Sequence, residues 1–120
     1  MATVKPTITD LASGQVIKFS WSLTTANADG SPIPPSYAEF SDRTVYFTGT
    51  WGGATAKWQG GDGSTWLDLT DPQGNAISKT ADAIECVTEV PEYSRPNLTT
   101  PGAGATITAV CIARRGFRRA

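Results

Sequence analysis

Histidine is absent from the 120-residue chain. That removes the commonest general base and the commonest metal ligand together. The chain also has no apolar run of about 18 residues, so it offers no transmembrane helix. The N-terminal stretch MATVKPTITDLASG lacks the apolar centre of a signal peptide, and the expected setting is a cytoplasm, with the protein kept there or assembled there into something larger. Charged residues are somewhat scarce at 18%. Cys86 and Cys111 are the only cysteines, both inside apolar strand-like runs. Two cysteines without histidine make no zinc site. They read as small buried apolar residues, and a cytoplasmic origin favours free thiols over a disulfide pinning neighbouring strands.

What is present is a set of short alternating segments separated by turn signals. Val16 to Thr25 is the clearest: Ile17, Phe19, Trp21 and Leu23 fall on one face, Lys18, Ser20, Ser22 and Thr24 on the other. That is period two, the mark of a half-buried strand. Arg43 to Trp51 follows, with Val45, Phe47 and Trp51 on one face. Gly52-Gly53 supplies the positive φ of a hairpin turn. Ala54, Ala56 and Trp58 then alternate with polar residues, and Gly60-Gly61-Asp62-Gly63 turns the chain into a third strand with Trp66, Leu67 and Leu69. Asp71-Pro72-Gln73-Gly74 spells a β-turn. Ile77 to Thr80 and Ile84 to Val90 are shorter strand candidates, Pro91, Pro96 and Pro101 break the segment that follows, and Gly104 to Arg114 reads as a strand buried on both faces. Turn signals about every ten residues indicate an all-β fold, an antiparallel β-sandwich of jelly-roll-like or immunoglobulin-like type. Residues 1–120 form one domain: an extended N-terminal arm (1–14), a β-body (15–113) and a basic C-terminal tail (114–120).

The residues that carry chemistry elsewhere are read here as structural. Glu85 and Glu89, four apart on one strand face, have the form of a carboxylate pair, and Asp62, Asp68 and Asp71 gather near the second glycine turn. The regular acidic spacing of a calcium loop is missing, and Asp62 within GGDGST is a turn former. GTWGGA lacks the Gly-Lys-Ser/Thr ending of a phosphate loop, and the chain has neither a nucleophile elbow nor a Cys/His pair. The expectation is therefore a non-enzymatic protein with no catalytic residue, no cofactor and no metal.

Binding residues are sought on the surface. Trp21 shares its face with Ile17, Phe19 and Leu23, and Trp51 and Trp58 are core-like. Trp66, opposite Leu67 and Leu69, is left as the candidate exposed aromatic. Pro32, Pro34 and Pro35 stiffen the loop ANADGSPIPPS into a plausible contact element. Arg114, Arg115, Arg118 and Arg119 stand within the last seven residues, and without them six basic residues face eleven acidic ones. A basic tail on an acidic body suits an acidic partner surface; the body would repel phosphate, so nucleic acid is an unlikely partner.

From about Thr44 to Arg115 the chain resembles small structural proteins encoded in the capsid region of tailed bacteriophages. The resemblance lies in a strand ending GTWGGAT, then WQGGDGSTWLDLTDPQGNAIS, an acidic strand IECVTEV, a YSRP element, and a last strand running into Ala113-Arg114-Arg115. Proteins of this look are often head decoration, or cement, proteins. The resemblance implies a structural virion protein on the capsid surface, bound to the major capsid protein as a homo-oligomer, with a trimer favoured. It carries over no catalytic residues. Two other functions remain open on the residues: a carbohydrate-binding or host-attachment module, which would need an exposed Trp66, and a head–tail connector or other assembly factor.

Overall fold

A computed structural model describes residues 3–99 and 104–115. The chain folds as two sheets packed into a β-sandwich with little helix. The strands, in order, are β1 (Thr3–Val4), β2 (Thr7–Asp10), β3 (Val16–Thr24), β4 (Asp29–Gly30), β5 (Asp42–Thr50), β6 (Thr55–Gly61), β7 (Trp66–Asp68), β8 (Ser78–Lys79), β9 (Ala83–Val87), β10 (Tyr93–Thr99) and β11 (Thr106–Arg114). One sheet runs β1-β4-β10-β6-β7, with β8 also on β6; the other runs β2-β3-β11-β5-β9. All pairings are antiparallel except β1 with β4. The residues expected as an extended N-terminal arm contribute an edge strand to each sheet.

Alternation builds the core between the sheets. Ile17, Phe19, Trp21 and Leu23 of β3 are buried, as are Val45 and Phe47 of β5, Ala56 and Trp58 of β6, and Ile107, Ala109, Cys111 and Ala113 of β11. The Trp21 and Trp58 rings meet edge to face at 5.6 Å, so the two sheets are joined by an aromatic contact that contributes beyond its buried area.

Four expectations change. Gly52 and Gly53 do take positive φ (53° and 80°), and the Ala54 amide closes the turn on the Trp51 carbonyl at 2.8 Å. However, β5 and β6 do not pair: this turn carries the chain from one sheet to the other, and the hairpin is β6–β7. The proline-broken segment is a full strand, β10, paired along its length with β6. Ser94 accepts from Ile33 and the Leu98 amide donates to Ala28, so even-numbered residues of β10 point their backbone groups toward the short β4 side. Pro96 shares that parity, and its missing N–H costs no bond to β6. Gly30 faces it, where an added Cβ would lie 2.5 Å from the Pro96 ring. Third, β11 is buried on one face only, with Val110 and Ile112 half-buried on the other. Fourth, Trp51 is half-buried at the margin of the core, its indole N–H donating to Asp82 at 2.9 Å.

Cys111 and Cys86 are both free thiols. Cys111 lies on the inner face of β11, whereas Cys86 is exposed on β9, contrary to the expectation that both are buried. β5 separates the two strands, and the two thiols face opposite sides of their sheet, so they do not bond. Burial pushes the Cys111 thiol up to about 12, with the nearby Arg43 guanidinium opposing the shift.

Candidate functional site

The proline loop, the last described residues and the turn before β3 come together at one end of the sandwich. The loop is clamped at several points. Ser31 donates its amide to Val4 and accepts from the Trp21 indole, and Ile33 is buried and bonds Ser94 at 2.7 Å. Arg43, only 2% exposed, donates from Nε to the Phe40 carbonyl, from Nη2 to the Tyr37 carbonyl and from Nη1 to Ser94. These carbonyls end and follow a single 3-10 turn, Pro35–Tyr37, and the Tyr37 ring packs edge-on against Phe19 at 5.0 Å. The clamps leave Pro34 and Pro35 exposed on a fixed crest and Pro32 half-buried. A contact loop held this way loses little entropy on binding.

The arginines divide. Arg115 is engaged within the chain: it pairs with Glu39, lies 4.6 Å above the Phe40 ring, and donates to the Gly14 carbonyl, while its amide bonds Gln15. It therefore fastens the end of β11 to the proline loop and to the Asp10–Gly14 turn, which Asp10 closes by accepting the Ala12 and Gly14 amides. Arg114 is exposed, opposite Asp42 on β5. Arg118 and Arg119 lie outside the described residues.

Trp66 sits apart from this end, on the outer face of the six-stranded sheet. It is half-buried rather than exposed, whereas Leu67 beside it, of the opposite parity on this edge strand, is 70% exposed. The Arg95 guanidinium lies 4.2 Å from the Trp66 ring centroid, and a sugar stacking on that face would have to displace it. Arg95 also donates twice to Gln59, Gln59 donates to Asp68, and Asp68 pairs with Lys57 at 3.3 Å. Sequence reading singled out Trp66 but missed this chain of contacts, because its members come from β6, β7 and β10 and meet only through sheet register.

The acidic candidates have structural partners. Asp62 accepts the Ser64 and Thr65 amides at 2.9 Å, and these donors hold its carboxyl below the usual range. Asp71 accepts the Gln73 and Asn75 amides, Glu85 pairs with Lys79, and Glu89 accepts from Thr70. β9 ends at Val87, so Glu85 and Glu89 do not share a strand. Among the described residues, no three His, Cys, Asp or Glu side chains gather in a metal-binding group, and no helix is long and apolar enough to cross a membrane. Of the candidate binding residues, the proline loop and Arg115 meet at one stiff, partly charged end of the sandwich. Comparison with family models, with curated proteins and with solved structures gives no match to this chain.

Proposed function

We propose that this chain is a structural virion protein, a decoration or cement protein that binds the major capsid protein on the outside of a phage shell. The observation that carries the reading is the clamped proline crest: Arg43 and Arg115 hold Tyr37 and Phe40, just after Pro34 and Pro35, against the body, giving a rigid contact element. The resemblance over Thr44 to Arg115 supports it independently. The role is mechanical. Each copy bridges neighbouring shell subunits, and many copies convert modest contacts into high avidity. A closed homo-oligomer, with a trimer favoured, is the arrangement that suits repeated symmetric positions.

Purified protein mixed with shells lacking it tests the proposal. Saturable co-sedimentation, together with a higher temperature or urea concentration for DNA release, is the expected result. Absence of binding, or binding with unchanged release, would remove the cementing role. The mass of the free protein in solution tests the trimer.

A further inference from the structure

The outer face of the five-stranded sheet is the least expected surface of the molecule. In register across it, Ser22, Thr24, Thr48, Thr50, Thr106 and Thr108 form a field of hydroxyls at one end. Toward the other end the face turns apolar. A shallow groove of about 390 Å³ is lined there by Leu11, Lys18, Tyr46, Thr48, Val110 and Ile112. Leu11 is 52% exposed at its rim, and Ile84, paired with Tyr46, is 63% exposed beside it.

Two hydrogen-bond donors flank this apolar floor. Lys18 is the cross-strand partner of Ile112 on one side of β11, and Tyr46 is the partner of Val110 on the other. They stand on strands about 10 Å apart, close enough for both side chains to lean over one ligand group. The ion pairs of the described residues engage Lys57, Lys79 and Arg115, which leaves the Lys18 ammonium without a carboxylate. Asp42 on this face lies opposite Arg114 one row beyond Thr44, and Asp82, just before β9, is engaged by the Gly49 amide and the Trp51 indole. An apolar floor with an uncompensated ammonium and a phenol hydroxyl is complementary to an apolar side chain adjoining a carboxylate.

We propose that this groove is a docking site for an extended partner segment that alternates apolar and acidic side chains. Its apolar groups rest on Val110, Ile112 and Leu11, and a carboxylate meets Lys18 and Tyr46. The proposal deepens the structural-protein reading, on which it rests for the partner's being a protein.

Isotope-labelled full chain, titrated with an acetylated octapeptide of alternating valine and glutamate, tests it by amide shifts. Analogues with glutamine or lysine in place of glutamate are the comparison. The expected result is saturable shifts at Lys18, Tyr46, Val110 and Ile112, with affinity for the glutamate peptide about fivefold above either analogue. Lys18→Glu should invert the preference toward the lysine peptide, Ile112→Ser should weaken all three, and Leu67→Ser on the other sheet should change none. Equal binding of the three peptides, shifts confined to the opposite sheet, or no saturable shift would overturn the proposal. Concentration-dependent shifts at the same residues without peptide would assign the face to a second copy and overturn the choice of occupant. Peptide binding as expected, alongside shells that neither bind the protein nor gain stability, would leave the groove standing and sink the cement reading.

Discussion

On the outer face of the six-stranded sheet, Lys57, Asp68, Gln59, Arg95 and Trp66 form one continuous chain of ion pair, hydrogen bonds and cation–π contact. On the outer face of the five-stranded sheet, a field of threonine and serine hydroxyls adjoins an apolar groove, and among the described residues Lys18 has no ion-pair partner. Both sheets draw their inner faces from the same alternation of apolar residues. The difference teaches that charge was placed to satisfy one face within the chain and to leave the other unsatisfied. A face whose polar groups already have partners gains little from a new one. A face made mostly of hydroxyl and apolar groups, whose ammonium gains a carboxylate when covered, has more to gain from a partner.

The largest test of this contrast is made beneath it. Trp58→Ala removes the ring that meets Trp21 between the sheets, and should cost about 3–5 kcal/mol by denaturant unfolding. A cost below about 1 kcal/mol would mean that the two sheets are not held by one core. Gly30→Ala forces a methyl group against Pro96 and should cost about 1–3 kcal/mol, with hydrogen exchange rising at β4 and the β10 amides facing it.

The cysteines sharpen the comparison between inner and outer faces. Cys86 should react with a thiol reagent in the native protein, and Cys111 only after unfolding. Burial raises the Cys111 thiol to about 12 from its ordinary 9.0, so the unfolded chain loses this proton first as pH rises. The associated stability is complete below pH 9 and falls by about 1 kcal/mol per pH unit between there and the folded value. Cys111→Ala should remove that slope, and unfolding midpoints from pH 8 to 11 would show it.

Smaller effects separate the two outer faces. Arg95→Ala breaks the chain on the six-stranded sheet, should cost about 1 kcal/mol, and should alter Trp66 fluorescence. Lys18→Ala on the five-stranded sheet should change stability by less than about 0.5 kcal/mol, because it breaks no ion pair among the described residues. Equal costs for the two substitutions would dissolve the contrast.

Much of the fold was legible where a strand is half-buried, because one buried face writes period two into the sequence: β3 and β6 stand where the alternation puts them. β10 was hidden because Pro96 reads as a breaker, and only the pairing shows that its absent donor faces the two-residue strand β4. β11 looked buried on both faces because Val110 and Ile112 are apolar, yet they form the groove floor. The glycine turn was correctly located, but no local signal says whether a turn stays within a sheet or crosses between two. Of the site, the proline crest and Arg115 could be named from the chain; that Arg115 is spent on Glu39 and Phe40, and that Arg43 is buried beneath the loop, depends on contacts between distant residues.

The central claim is that this sandwich is a bound component of a capsid shell, and an electron-microscopy reconstruction of the assembled particle tests it most directly. The expected result is density for the sandwich in closed oligomers on the outer shell, with the proline crest or the groove face turned toward the major capsid protein. Density at the neck or the tail tip, or none in the particle, would contradict it.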